Sequence, residues 1–206
     1  MNKPTRRGKF ITLEGVDGAG KSTHLDYLAE KIRARGVELV VTREPGGTPL
    51  GEKLRALLLN EPMQPDTELM LMYAARAEHV AALIKPALAR GAWVLSDRFA
   101  DASHAYQCGG RGIDAGRLQV LEDWTLAGFK PDLTLLFDVS AEVAEARRAQ
   151  ARTADRFEQE QSAFFTRVRD AYLQRAGGEP GRIRVVDASR SIEAIRGELD
   201  CLLEGL

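Results

Sequence analysis

Little in this chain suits an oxidising or a membrane setting. Of its 206 residues only Cys108 and Cys201 are cysteines, which excludes a disulfide framework and points to a reducing, cytoplasmic compartment. No window approaches the roughly 18 consecutive apolar residues of a membrane-spanning helix. Charge of one sign is missing too. Against 30 Asp and Glu stand 29 Lys and Arg, a formal net charge of -1, which argues against bulk electrostatic binding to nucleic acid while leaving room for a local cationic pocket. Repeats, low-complexity tracts and dividing linkers are absent, so the chain reads as one domain over residues 1–206. Met1 to Lys9 is basic but leads only into a short apolar stretch, which predicts no secretory leader.

What is present is a regular alternation. Phe10 to Leu13, Glu38 to Thr42, Trp93 to Ser96, Leu133 to Val139 and Arg182 to Asp187 read as five strands. Between them the apolar spacing predicts helices: one through Leu25 to Ile32 stopped by Gly36, a short one near Gly51 to Leu59, and a long one over about Asp66 to Arg90 that Pro86 kinks or splits. Further helices are expected around Ala100–Gln107, Asp114–Leu126, Glu158–Arg175 and Ile192–Leu203, with another capped by Ser140. Strands alternating with helices predict an α/β fold, a five-stranded parallel sheet covered on both faces.

Chemistry enters at Gly15-Val16-Asp17-Gly18-Ala19-Gly20-Lys21-Ser22-Thr23. This run fits G-x-x-x-x-G-K-[ST], the phosphate-binding P-loop, between a predicted strand and a predicted helix. Its glycines let successive N–H groups turn toward phosphate oxygens, Lys21 adds a positive charge for the outer phosphates, and the Ser22 hydroxyl can ligate Mg²⁺. The fold class is therefore that of the P-loop NTPases. A GTPase needs an N-K-x-D segment, but neither asparagine, Asn2 or Asn60, begins one. A second Mg²⁺-side carboxylate is expected at a strand end, and both Asp97 and Asp138 qualify. Asp97-Arg98-Phe99 is the more useful run, because Arg98 can clamp a second phosphate at the sheet edge where α/β proteins bind ligands. Arg147, Arg148, Arg152 and Arg156 crowd ten residues between two helices and suggest a lid, about 147–156, closing over phosphates. Transfer between two nucleotides brings polyanions together, and cations must surround the transferring group. A nucleoside monophosphate acceptor, with a second phosphate pKa of about 6, is already largely ionised and needs no general base. His24, His79 and His104 are therefore read as structural.

The chain resembles the bacterial thymidylate kinases from about Phe10 to Leu203. The likeness rests on an ordered set: Leu13-Glu14-Gly15 with Lys21-Ser22-Thr23, Thr42-Arg43-Glu44-Pro45-Gly46-Gly47-Thr48, Tyr73-Ala74-Ala75-Arg76, Asp97-Arg98-Phe99, Ala105-Tyr106-Gln107-Cys108-Gly109-Gly110-Arg111-Gly112, and Asp155-Arg156-Phe157-Glu158. The resemblance implies transfer of the ATP γ-phosphoryl group to dTMP, a Mg²⁺ requirement met at Ser22 and Asp97, and a homodimer. It places residues 15–23 and Arg156 with ATP, and Asp17 by the sugar 3′-hydroxyl and the bridging phosphates. Arg98 falls on the dTMP phosphate and Arg76 on the thymine edge. Met72 or Tyr73 covers the base, Pro45 forms an opposite wall, Ser103 and Gln107 are base contacts, and Tyr106 lies under the deoxyribose. Family members carry the catalytic arginine either in the P-loop, at the position of Gly18, or in the lid. With Gly18 this chain resembles the lid type, and Arg152, with Arg148 and Arg147 as alternatives, is the expected catalytic group beside Lys21 and Arg98. Cys108 and Ala102 depart from the residues common at their positions, Gly and Ser. Without the resemblance the residues still predict a P-loop kinase of a phosphorylated acceptor, the alternatives being another nucleoside monophosphate kinase or a nucleotide-dependent interaction module.

Overall fold

The computed structural model describes residues 7–148, 156–157 and 160–206. Five strands, β1 (Phe10–Glu14), β2 (Leu39–Arg43), β3 (Trp93–Asp97), β4 (Leu133–Asp138) and β5 (Ile183–Asp187), form one sheet in the order β2-β3-β1-β4-β5. Every neighbouring pair is parallel. All five residues of the central strand β1 are buried. Successive side chains on a strand point to opposite faces, so both faces of the sheet are covered, as the near-continuous apolar strands predict. Ile11 and Leu13 join the core that includes Leu28, Val168 and Leu199, whereas Phe10 packs with Val80, Ile84 and Leu88.

Several helices follow their sequence signals at the N-terminal ends, although the one expected from about Glu158 starts at Ser162. In α2 (Pro49–Asn60) the Thr48 hydroxyl accepts the Gly51 N–H at 2.9 Å and Pro49 opens the first turn, so this helix starts two residues earlier than its apolar pattern suggests. Asp114 caps α6 (Ala115–Leu126), and Ser191 caps α9 (Ile192–Glu204). Helix α1 (Lys21–Ala34) begins directly at the phosphate loop, α7 (Ala141–Arg148) follows β4, and α8 (Ser162–Gly178) precedes β5.

Two predicted helices differ in kind. The long one is α3 (Pro65–His79), a π-helical turn over Val80–Ile84, then α4 (Lys85–Ala89). The Lys85 N–H reaches back five residues to the Val80 carbonyl. Pro86 has no N–H, and its ring would crowd the carbonyl of Ala82; a wider turn just before it relieves that conflict. The segment expected at Ala100–Gln107 is α5 (Ala100–Ser103) followed by a second π-helical stretch, His104–Gly110. Arg111 N–H donates to the Tyr106 carbonyl, again five residues back, at 2.9 Å.

Candidate active site

The phosphate loop folds as its glycines demand. Gly15, Gly18 and Gly20 all have positive φ, at 131°, 86° and 90°. A Cβ on Gly18 would stand 2.3 Å from the Ala144 carbonyl oxygen, and one on Gly15 would stand 2.4 Å from that of Phe137, so the loop is pressed against β4 and α7 where only glycine fits. No side chain caps α1, and its first turn carries no acid; an anion is the natural partner of those N–H groups. Lys21 is 6% exposed, and its Nζ donates to the Gly15 and Val16 carbonyls at 2.9 and 3.1 Å. Burial lowers the Lys21 ammonium below its usual range and Arg98 adds to this, while Asp17, Asp97 and Glu14 oppose it.

Arg98, just past β3, takes a left-handed backbone, φ 71°, a conformation that costs a non-glycine residue roughly 1–3 kcal/mol. Its N–H donates to the Leu13 carbonyl at 2.9 Å and its carbonyl accepts the Ser96 hydroxyl at 2.8 Å. The guanidinium is thereby turned toward the phosphate loop. Nη2 donates to Asp17 Oδ1 at 2.8 Å and to the Tyr106 hydroxyl at 3.0 Å, and Nη1 donates to the Tyr172 hydroxyl at 3.0 Å. Tyr106 in turn donates to Asp17 Oδ2 at 3.1 Å. Burial alone would raise Asp17, but the charges of Arg98 and Lys21 and these hydrogen bonds win and hold its carboxyl far below the usual range. Tyr172 donates onward to Glu14 Oε2 at 2.7 Å, and Glu14 Oε1 accepts the Phe99 N–H. Burial and the charge of Asp101 push Glu14 up to about 8.

Beyond Arg98 opens a cavity of about 580 Å³. It runs from Asp17, Gly18, Gly20, Lys21, Ser22 and Thr23 to Pro45, Met72, Arg76, Ser103, Tyr106 and Gln107. Thus the structure brings most of the sequence-predicted site residues to one space. Gly15, Val16 and Ala19 do not line it. Tyr73 stays outside as well: its ring lies under the Arg76 guanidinium, 4.6 Å away, and its hydroxyl donates to Glu122 at 3.2 Å. Of the two residues expected over a base, Met72 is the one on the cavity wall.

Arg76 is 2% exposed. Its Nε donates to Glu44 at 2.8 Å, Nη1 to the Ser103 hydroxyl at 3.1 Å and Nη2 to the Phe99 carbonyl at 3.0 Å. Glu44 also holds His79 Nδ1 at 2.9 Å. A buried guanidinium needs such a carboxylate. Glu44, Glu14 and Tyr172 are supporting residues to which the sequence assigned no role. The signal for Glu44 was its place beside Pro45 in a charged run; Tyr172 looks like any core aromatic of an amphipathic helix. The helix carrying Ser103 and Tyr106 is pinned at Asp101, whose carboxyl burial would raise but Arg182 and Arg175 bring down to about 2.

The two carboxylates proposed for the metal side now separate. Asp138 is taken by Arg169, bidentate at 2.6 and 2.8 Å. Asp97 lines the cavity with Ser22, and its Oδ1 is buried without a hydrogen-bond partner. No trio of His, Cys, Asp or Glu able to cage a metal occurs among the described residues. One carboxylate and one hydroxyl suit Mg²⁺, which keeps waters and substrate phosphates as its other ligands.

Of the arginine cluster, Arg147 lines the cavity and donates from Nη2 to the Ala188 carbonyl at 3.2 Å. Arg152 and most of the expected lid lie outside the described residues, as does the Arg148 side chain. Arg156, expected with ATP, is not on the cavity wall. Its Nε donates to the Leu58 carbonyl at 3.1 Å and its Nη2 stands 2.8 Å from buried Glu68, an acid that needs a cation more than the solvent-open cavity does.

The sequence profile of the thymidylate kinase family matches residues 13–199. The chain is 65% identical over 199 residues to the thymidylate kinase of Thiobacillus denitrificans, covering 97% of this chain and 98% of the relative. Identity to that of Methylobacillus flagellatus is 57%, covering 96% and 98%. The crystal structure of thymidylate kinase from Ehrlichia chaffeensis superposes with a TM-score of 0.79 at 35% identity, covering 96% of this chain and 99% of the other.

Proposed function

From the premise that this chain belongs to the thymidylate kinase family and phosphorylates dTMP to dTDP with ATP, we propose how its residues divide that work. The loop N–H groups and Lys21 hold the ATP phosphates. Ser22 and Asp97 would hold Mg²⁺, which would supply positive charge to offset that developing on the phosphates. Arg98 takes the dTMP phosphate, and Arg76, Met72, Ser103 and Gln107 take the base, with Pro45 closing the far wall. Tyr106, 6% exposed and tied to Asp17, sits where a ribose 2′-hydroxyl would need room. An ionised dTMP phosphate oxygen attacks the γ-phosphorus, the bond to the β-bridging oxygen breaks, and ADP leaves. No side chain has to remove a proton first.

The observation that carries this division is that one cavity joins Lys21 to Arg76 by way of Arg98. Arg76→Ala tests it. A hydrogen bond from a charged donor is worth enough that the dTMP Michaelis constant should rise about ten- to hundredfold, with that for ATP unchanged. Equal dTMP constants in the variant and the native protein would put the base elsewhere.

We read the chain as one domain working in the cytoplasm as a homodimer. Both cysteines are free thiols, in keeping with a reducing compartment. No helix among the described residues is long and apolar enough to cross a membrane. Support for the dimer comes from α2, α3 and α6, which pack side by side and expose Leu57, Met70, Val120 and Trp124, the last at 84%. Exposed apolar groups of that size call for a partner surface. Trp124→Arg should shift the protein to monomer in sedimentation equilibrium with its circular dichroism intact; an unshifted mass would rule out α6 as the contact.

A further inference from the structure

Glu68 lies on α3 with no exposed surface and does not line the cavity. A carboxylate so placed must be paired, and three donors from two distant parts of the chain meet it. Gln107 Nε2 donates to Oε1 at 2.9 Å. Arg111 Nε stands 3.3 Å from Oε2, and Arg156 Nη2 stands 2.8 Å from the same oxygen. Glu160 also pairs with Arg111. Two guanidinium groups stand against the carboxyl, and its Oε1 accepts from both Gln107 and Arg111, the latter at 3.4 Å.

That fixes the neighbouring amide. A glutamine has one donor end and one acceptor end, and only the donor end can face a carboxylate. Gln107 is 1% exposed, yet it reaches the cavity wall. With its NH₂ committed to Glu68, the carbonyl oxygen is what it has left for a ligand. Arg76, on the same wall, is a donor only; three of its N–H groups are spent on Glu44, Ser103 and Phe99, and a guanidinium carries more. One acceptor beside one donor matches an imide edge, a ring N–H next to a carbonyl. It opposes an amidine edge, a bare ring nitrogen next to an amino group.

We infer that Glu68 is a positioning residue that locks the Gln107 amide carbonyl-outward, so that the site accepts an imide-bearing pyrimidine and refuses an amino-bearing one. This rests on the placement of the base between Arg76 and Gln107 proposed above.

Glu68→Gln tests it, because the new amide can donate to Gln107 as well as accept from it and so releases the lock. The specificity constant for dTMP should fall about ten- to hundredfold, as expected for one mismatched base-edge contact, through the Michaelis constant. That for dCMP should hold or rise, and the ATP constant should stay put. A merely structural role would lower both acceptors alike, and an unchanged dTMP to dCMP ratio overturns the inference. Glu68→Asp is the second variant: it keeps the charge that Arg111 and Arg156 need but withdraws from Gln107, and it should narrow the ratio in the same direction. Gln107→Leu tells the two layers apart. If it cripples dTMP use while both Glu68 variants keep the native ratio, the base placement stands and Glu68 is not the lock. If it changes neither the dTMP constants nor the ratio, the base placement is wrong and the inference falls with it.

Discussion

Lys21→Ala should lower turnover by at least about 10²–10³, the usual cost of removing a group aimed at developing charge, while the protein remains folded. Lys21 opens α1 at the mouth of the loop, buried among Asp17, Asp97 and Glu14 with Arg98 as its cationic neighbour. Its side chain carries no apolar core, so deletion leaves the sheet and α1 packing untouched. What is lost is the charge beside the outer phosphates, at the point where negative charge grows as the γ-phosphoryl group leaves ADP. Initial rates at saturating ATP and dTMP, with circular dichroism as the folding control, check this. Near-native turnover would remove the loop from the mechanism.

Arg152→Ala should cost more, roughly 10³–10⁵ in turnover, the range for an arginine acting in a phosphoryl-transfer transition state, with little change in ATP affinity by equilibrium titration. The reason lies partly at Gly18. Its φ of 86° and the Ala144 carbonyl 2.3 Å from any Cβ bar an arginine from that loop position. The cation must come from elsewhere, and the arginine run at 147–156 begins at the end of α7, the helix whose Ala144 carbonyl packs against Gly18. Arg147 is already on the cavity wall, so Arg147→Ala and Arg148→Ala are the needed companions. A loss confined to one of those two would keep the mechanism and move the role. Near-full turnover in all three would show that this run is not catalytic.

The sheet was legible because fully buried parallel strands leave an unmistakable trace, short apolar runs such as Phe10 to Leu13 and Leu133 to Phe137, each with a helical period after it. Phosphate chemistry was legible because backbone geometry dictates glycine at Gly15, Gly18 and Gly20. Partnerships were not. Asp97 and Asp138 are equivalent in sequence, each an acid at the end of an apolar strand. Only Arg169, thirty-one positions beyond Asp138, makes one of them an ion pair and leaves the other open. Arg156 reads as a phosphate ligand by composition; a buried acid on α3, Glu68, claims it. Tyr73 and Met72 are adjacent, and a helix turns adjacent residues about 100° apart, so only the packing of α3 against α6 decides which faces the cavity. The two π-helical stretches were invisible because their cause, relief around Pro86 in one case, is steric and leaves the apolar period nearly unchanged.

In the proposed division of work, one cavity transfers phosphate from ATP to an imide-bearing deoxynucleoside monophosphate. The direct measurement is transfer of γ-labelled phosphate from ATP to dTMP, dUMP, dCMP, dGMP and AMP by the native protein. Label should appear as dTDP, with dUMP a weaker acceptor, since a methyl-sized group is worth only about 1–3 kcal/mol, and with dCMP and both purine monophosphates far behind. Faster labelling of dCMP or of a purine monophosphate, or release of labelled phosphate to water at the same rate with and without dTMP, would contradict it.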